Sequence, residues 1–512
     1  MKTPLFFILV FLWITSCKHN QKEEAGKVKD RPNVLLIIAD DLGYTDLGTF
    51  GSSFYDTPNL DALAQNAVKF TNGYANCPVC SPSRAAIQTG KFPVRTGVTD
   101  WIKGRKAFQG TTPNDRWIVP DTDFEMKLEE STIAENLKKG GYSTAFIGKW
   151  HLGEQEEFWP EHQGYDINVA GWSMGRPNTG KDINGYFSPF GNPRLKDGPE
   201  GEYLTDRLTA ETMAILDTDE FQGNPFFVCL SYYSVHGPLM AKDKDIATYE
   251  VKRADEHIDE RTEFLDDLPW MEAATGNPKG YKERVVQGHP TYAAMVHSLD
   301  ENIGKVIQHL KEIGQYDNTL ILFISDNGGL STKEGSPTSN LPLAKGKGWM
   351  YEGGIRVPLL IKAPGQQKGK VLNEPVTGAD FYPTILDYAQ LDIPNPSEID
   401  GKSLKASLDL GEEIRERPLF WHYPHYGNQG GNPSSAVRLG DFKLIHDLEL
   451  DSYELFNLAE DIGETRNLAE MYPKKTATLK ELLHEWLEKN YHSTLLANPE
   501  WTKVDLKLNT TR

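Results

Sequence analysis

The chain has 512 residues, of which 38% are hydrophobic and 25% charged, a composition typical of a soluble globular protein long enough for a large domain and a smaller companion. A formal net charge of −19 argues against general affinity for nucleic acid or anionic membranes, because the overall field repels polyanions, so an anionic substrate would need a local cationic cluster. Four cysteines in a chain of this length do not make a disulfide framework.

The first segment, "MKTPLFFILVFLWITSC", carries a lysine and an apolar run over 5–14. That run is too short to span a bilayer and reads as a secretory signal. "ITSC" resembles the lipobox of bacterial lipoproteins, which predicts a signal peptide over 1–16 and an acylated Cys17. The plainer alternative is cleavage near Ser16 with Cys17 incidental. "QKEE" (21–24) resembles a surface-export signal of some Gram-negative lipoproteins. Residues 17–30 lack an apolar period and read as a flexible tether. The expected location is therefore outside the cytoplasm, lipid-anchored at the outer membrane on its periplasmic or outer face.

Folding begins at "RPNVLLIIADDLG". The continuous apolar run over 34–39 predicts a strand covered on both faces, with Asp40 and Asp41 at its end. Residues 57–70 show helical spacing behind a Thr57 cap and Pro58. "STIAENLKKGGYSTAFIGKWHLG" reads as a capped helix, a Gly-Gly stop and a strand over 143–147, and "NPFFVCLSYYSVHGP" as a second buried strand containing Cys229. The long polar stretch over 240–289 predicts an insertion lining or lidding a site. It is followed by a helix of about twenty residues and a strand over 320–325. This alternation predicts an α/β sheet with helices on both faces over 31–395. From Pro396 the texture changes to short strands, "RPLFWHYPHY", "SSAVRLGDFKLIHD" and "SYELFNL", and a helix near "KKTATLKELLHEWLEKN". These predict a smaller antiparallel-sheet subdomain with a terminal helix over 396–512.

Ligands of open α/β sheets gather beyond the carboxyl ends of the strands. Four such ends carry unusual chemistry: Asp40-Asp41, "GKWHLG" with Lys149 and His151, "VHGP" with His236, and "SDNGG" with Asp326-Asn327. Each has a bland alternative, such as a turn, a helix cap or a lysine reaching for solvent. Their convergence is what points to a site. Asp40, Asp41, Asp326 and Asn327 form a hard oxygen set that suits Ca²⁺ or Mg²⁺ over Zn²⁺. Cys77 and Cys80 form a Cys-x-x-Cys pair, but no second pair exists to complete a zinc site. A redox or disulfide role for Cys77 stays open.

The blocks "CSPSR" (80–84), "NVLLIIADDLG", "TGKFPVRTG", "GKWHLG", "SDNGG", "KGKGWMYEGGIRVP" and "YELFNLAEDIGETRNLAE" resemble, in order, those of the type I, formylglycine-dependent sulfatases. The likeness runs from Arg31 to about 487. It implies an alkaline-phosphatase-like large mixed sheet flanked by helices and an exported bacterial polysaccharide sulfatase. In that family the signature cysteine, here Cys80, is oxidised to formylglycine (3-oxoalanine) by a formylglycine-generating or anaerobic sulfatase-maturating enzyme. One hydroxyl of the hydrated aldehyde attacks sulfur, and the other expels inorganic sulfate on collapse to the carbonyl. A helix starting at Cys80 would favour the anion through its amides and dipole.

By the same resemblance Asp40, Asp41, Cys80, Asp326 and Asn327 hold one divalent ion, Ca²⁺ first and Mg²⁺ second. Arg84 orients the formylglycine, and Asp326 is also a candidate for taking the nucleophile's proton. Lys149 and Lys347 clamp sulfate, His151 helps break down the sulfated intermediate, and His236 protonates the leaving alcohol. These cations would dominate locally, since charges beyond about 8–10 Å are largely screened. Trp349 and Met350 stand where many relatives have small residues, which predicts a reshaped loop there.

The expected substrate is a sulfated polysaccharide or its oligosaccharides, algal (ulvan, carrageenan) or glycosaminoglycan, with galactose- or N-acetylgalactosamine-type sulfates favoured. Trp172 with Arg176, and Trp421 with His422 and His425, are candidates to face the sugar; the alternative is that these aromatics pack a subdomain interface. Two other classes remain: a phosphodiesterase or phosphonate hydrolase of the same superfamily, and a non-catalytic glycan-binding lipoprotein.

Overall fold

The computed structural model describes residues 31–265 and 282–502. The predicted signal peptide, Cys17 and the tether lie outside the described residues. The large sheet holds eight strands: β1 (Asn33–Ala39), β2 (Val68–Phe70), β3 (Ser143–Gly148), β4 (Ile167–Val169), β5 (Phe226–Ser231), β6 (Thr319–Ser325), β7 (Leu359–Lys362) and β8 (Lys370–Leu372). Their spatial order is β8-β2-β7-β6-β1-β5-β3-β4. Only β7 runs antiparallel to the rest.

The apolar run of β1 is buried on both faces, as its sequence requires. Val34, Leu36 and Ile38 pack on one side with helices α2 (Cys80–Thr89), α3 (Ile133–Lys139) and α7 (Phe381–Tyr388). Leu35, Ile37 and Ala39 pack on the other with α1 (Pro58–Ala64), α4 (Leu204–Leu216), α5 (Asp243–Asp255) and α6 (Pro290–Glu312). Each such large apolar side chain contributes about 1.5–3 kcal/mol by leaving water. The helix expected over 57–70 stops at Ala64, and Val68 and Phe70 instead point together into the core as β2. A period of two over three residues is too short to outvote the helical spacing before it.

Register decides where the chemistry collects. Ala39 pairs with Ser325, Ile38 with Ser231, and Gly148 with the same Ser231. The strands carrying Asp40, Asp326, Lys149 and the His236 loop therefore end level at one edge, as the four adjacent strands β6-β1-β5-β3.

The second sheet is an antiparallel meander: β9 (Leu419–Tyr423), β10 (Ser434–Leu439), β11 (Phe442–Asp447) and β12 (Ser452–Asn457). It begins well after Pro396, and Ile399, Leu404 and Leu408 before it belong to the core of the large sheet. One face receives α8 (Pro473–Asn490) through Leu479 and Leu483, with Trp486 stacked on Phe420 at 4.7 Å. The other face, with Trp421, Tyr423, Ala436 and Ile445, packs on Tyr74, Cys77, Val79, Met350 and Ile355. The small sheet thus backs the two loops that carry Cys80 and Lys347. The described part of the 240–289 insertion packs on α6, with Tyr249 and Ile258 in the core. Its Glu283 accepts from Lys345, two residues before Lys347.

Candidate active site

α2 begins at Cys80, capped by an extended Val79, and its whole length is buried. Arg84 lies one turn further on the same face. Its Nε donates to Asp326 Oδ2 at 2.8 Å, and its Nη1 to the Lys149 carbonyl (2.8 Å) and Ser231 Oγ (2.7 Å). Arg84 therefore ties together the ends of β3, β5 and β6. Lys149 donates to both oxygens of Asp40 at 2.8 and 2.7 Å, with both side chains wholly buried. Lys347 Nζ lies 2.7 Å from the Asp41 carboxylate. Asp41 also accepts at Oδ1 from Asn327 Nδ2 at 2.9 Å, and its own N–H donates to Asp326 Oδ1 at 3.2 Å.

The ten catalytic and metal positions expected from the sequence come to this edge; the sugar-facing candidates are a separate matter. Among the described residues, ligand atoms of Asp40, Asp41, Cys80 and His236 lie within 4.8 Å of one another. Asp326 and Asn327 join the cluster through Arg84 and Asp41. Asn327 Oδ1 and Arg84 Nη2 are buried without hydrogen-bond partners, the latter 3.8 Å from Asp40 Oδ1. An orphaned carbonyl oxygen among three carboxylates is a donor set that fits a hard divalent cation. Charge points the same way: Arg84, Lys149 and Lys347 are each matched by Asp326, Asp40 and Asp41. The three cations are thus already spoken for, and binding an anion here calls for added positive charge.

The electrostatics follow from burial. Burial raises the Asp40 carboxyl well above the usual range, with Lys149 opposing and Asp326 and Asp41 adding to it. Burial acts on Asp41 too, but Lys347, His236 and Lys149 overcome it and hold that carboxyl low. Burial pushes the Cys80 thiol up to about 11 despite Lys149 and Lys347. His236 is lowered to about 3 by burial and Lys347. Its Nδ1 lies 2.7 Å from the Gly237 carbonyl, which can only accept, so Nε2 is the bare nitrogen, 3.6 Å from Asp41 Oδ2. His151 Nε2 donates to the Ile102 carbonyl at 2.5 Å, and its Nδ1 is buried without a partner. Burial and Lys149 keep that ring neutral. Both Asp41 and His151 adopt a left-handed backbone, φ +60 and +57, a conformation that non-glycine residues hold mainly where the surroundings demand it. Gly175 presses on the His151 ring so closely that a Cβ there would sit 2.3 Å from Cε1.

Two groups of sequence candidates behave differently. Trp172 and the exposed Arg176 line one recess with Tyr233, and the Trp172 carbonyl accepts from the His151 N–H at 3.2 Å. Trp421, His422 and His425, read as sugar-facing, are buried instead. Trp421 donates to the Ala75 carbonyl, His422 Nδ1 pairs with Ser435 Oγ, and His425 Nε2 with Thr99 Oγ1. Their strand is covered on one face by the Cys77–Val79 loop and on the other by the C-terminal helix and Tyr491. Trp349 and Met350 are likewise core residues, 2% and 3% exposed.

Sequence reasoning passed over Ser231, whose hydroxyl joins Arg84 to Lys149. It also passed over Glu352, inside the quoted "YEGG" block. Glu352 accepts from Tyr74, Arg356 and Lys443, while its backbone N–H donates to Glu464.

The family model described as "Sulfatase" matches residues 32–391, and one described as "N-sulphoglucosamine sulphohydrolase, C-terminal" matches 345–492. A sulfatase of Formosa agariphila is 30% identical over 96% of this chain and 94% of its own length. Human N-acetylgalactosamine-6-sulfatase is 29% identical, covering 86% of this chain and 76% of its own. The crystal structure of Ps i-CgsB in complex with k-i-k-neocarrahexaose superposes with a TM-score of 0.70 at 27% identity, covering 92% of this chain and 95% of that one.

Proposed function

The chain belongs to the sulfatase family and is a sulfuric ester hydrolase; on that premise we propose that it removes sulfate from a sulfated polysaccharide or its oligosaccharides, using Cys80 in its formylglycine form beside a Ca²⁺ ion. The observation that carries this reading is the convergence of Cys80, Asp40, Asp41 and His236 within 4.8 Å, with Lys149 and Lys347 at hydrogen-bond distance from the two carboxylates. Relatives acting on N-acetylgalactosamine 6-sulfate and a neighbour holding a carrageenan-type hexasaccharide support galactose-type sulfates.

Asp40, Asp41, Asp326, Asn327 and residue 80 would hold the ion, which when bound supplies positive charge to the sulfate oxygens and to the nucleophilic oxygen. Formylglycine at position 80 supplies a hydrated aldehyde as nucleophile, where burial leaves an unmodified thiol protonated and unreactive. The chain's own residues do the rest. Arg84 fixes Asp326 against the strand ends. Lys149 and Lys347 sit where they can exchange a carboxylate for sulfate oxygens. His236, its side chain 16% exposed, holds Nε2 beside Asp41; an arriving anion favours its protonation, and it then hands that proton to the departing sugar oxygen. His151, covered by Gly175, offers Nδ1 for release of sulfate. Arg176 and Trp172 flank the sugar.

The phosphonate-hydrolase reading keeps the same site and differs in the preferred ester; the glycan-binding reading needs no formylglycine. The test is expression with a sulfatase-maturating enzyme, mass measurement of the peptide containing residue 80, and sulfate release from a panel of defined sulfated oligosaccharides. Formylglycine at position 80, sulfate release exceeding phosphate release, and no turnover in a folded Cys80→Ala variant are expected. Full activity of Cys80→Ala refutes the mechanism. We also propose export and anchoring through Cys17, supported by the "ITSC" sequence; labelling by a fatty acid that survives Cys17→Ser refutes it.

A further inference from the structure

The charged groups of the site are nearly all buried: Asp40, Asp326 and Lys149 are 0% exposed, Asp41 and Arg84 3%, Lys347 4%. A sugar attached to the sulfate therefore meets a different set of residues at the rim. On the His151 side the rim carries the exposed Arg176. On the His236 side it carries Glu334, exposed at the tip of a turn and lining a recess with Asp41, Gly237 and Tyr292. The two flanks have opposite charge.

Glu334 is held in place. Its Oε1 accepts from Gln429 Nε2 at 3.0 Å. Gln429 is itself fixed: its backbone carbonyl accepts from Thr332 Oγ1 (2.7 Å) and Trp349 Nε1 (3.1 Å), and it packs so close to Gly348 that a Cβ there would lie 2.8 Å from its Oε1. Glu334, Gly335 and Ser336 all take left-handed φ values, +55, +93 and +40, a run of conformations that Glu and Ser hold mainly where the surroundings demand it. Glu334 is also close enough to reinforce the charged form of Lys347.

We propose that Glu334, positioned by Gln429, is a specificity-determining residue that accepts hydrogen bonds from sugar hydroxyls beside the sulfate ester and rejects a second anionic substituent on that flank. The inference rests on the sulfatase reading above. A carboxylate satisfies a hydroxyl donor without cost, whereas a second sulfate or a uronate carboxylate brought against it meets like charge in a partly desolvated rim. Anionic substituents are tolerated on the Arg176 flank only.

The test compares kcat/KM for galactose 6-sulfate, galactose 4,6-disulfate and an aryl sulfate in wild type, Glu334→Gln and Glu334→Asp. The wild type prefers the monosulfate, and Glu334→Gln raises the disulfate-to-monosulfate ratio about tenfold. Glu334→Asp keeps the charge and stays near the wild-type ratio, which a merely structural role would not do. A Glu334→Gln ratio within twofold of wild type overturns the proposal. A mature wild type that cleaves neither sugar nor aryl sulfate overturns the activity itself, a separate outcome.

Discussion

Lys443→Met is expected to be among the most damaging substitutions outside the site. Lys443 is 0% exposed, with Nζ 3.0 Å from Glu352 Oε1 and 2.8 Å from Glu464 Oε1. Removing it leaves Glu352 with Arg356 and Tyr74, but leaves Glu464 with only the Glu352 N–H, at 2.6 Å. Leaving a buried charge without its partner costs about 3–5 kcal/mol. The pH dependence follows from the sign. Burial already raises Glu464 to about 7, with Lys443 opposing. A carboxyl whose folded pKa is raised binds more protons folded than unfolded, so stability falls as pH rises from the unfolded value, 4.5, through that window. Without Lys443 the window extends upward, and the variant's deficit grows by about 1.4 kcal/mol per pH unit above 7. Urea denaturation at pH 6, 7 and 8 measures this, and adding Glu464→Gln to Lys443→Met removes the growth with pH. Because Glu464 holds the Glu352 backbone, five residues from Lys347, sulfate release falls as well at temperatures where the variant is folded. A deficit under about 1 kcal/mol, or one that does not change between pH 7 and 8, refutes the reasoning.

His236→Ala is expected to lower kcat/KM about 10²–10³-fold on sugar sulfates, and far less on aryl sulfates whose leaving groups need no proton; equal losses on both remove its acid role. Trp421→Ala costs about 3–5 kcal/mol by denaturation while KM for sugars stays put, since the ring packs against Tyr74 and donates to Ala75; a raised KM with unchanged stability restores it to the sugar site. Glu449, raised to about 7 mainly by burial and hydrogen-bonded to Tyr426 at 2.6 Å, destabilises the fold as pH rises from 4.5 toward 7. Glu449→Gln flattens that part of the stability profile and is more stable than wild type at pH 8, and a profile unchanged by the substitution counts against it. Chelation abolishes turnover and lowers the thermal midpoint, and Ca²⁺ restores both in proportion to ln(1 + [Ca²⁺]/Kd); a chelator-resistant midpoint excludes the oxygen cage as an ion site.

What the sequence revealed and what it hid divide along the range of the interactions. The 34–39 run reads as a doubly covered strand, and ligands of such sheets gather beyond the carboxyl ends of the strands, so Asp40, Lys149, His236 and Asp326 were legible together. The short strand Val68–Phe70 was not, because three residues cannot establish a period against a helix that runs into them. Trp421, His422 and His425 read as a sugar platform because aromatics and imidazoles suit one. Their burial depends on partners brought from 346 residues away at Ala75 and 326 at Thr99. The same holds for Glu352, whose partners Lys443 and Glu464 lie 91 and 112 residues on. Nothing local marks a glutamate as the keystone of a buried ion network.

The balance of charge at the strand ends explains how a chain of net charge −19 can serve an anionic substrate. Three buried cations facing three buried carboxylates make a site that is close to neutral, and a neutral site neither repels sulfate nor holds it. Removing one carboxylate would free a cation but leave it buried and unpaired, at a cost of several kcal/mol. Adding a divalent ion to the oxygen cage changes the total by two charges without removing any charged group, and Asn327 Oδ1 is a buried oxygen there that accepts no hydrogen bond. With an ion held there by Asp40, Asp41, Asp326 and Asn327, Lys149 and Lys347 would be the groups available to sulfate oxygens. On this account Asp41→Asn weakens the ion more than the anion. Its effect on turnover is overcome by raised Ca²⁺, whereas Lys347→Met is insensitive to Ca²⁺ and shows in KM. Rescue of Lys347→Met by Ca²⁺, measured as sulfate release across a Ca²⁺ titration, would mean that the lysine serves the ion and that the charge argument has its partners reversed.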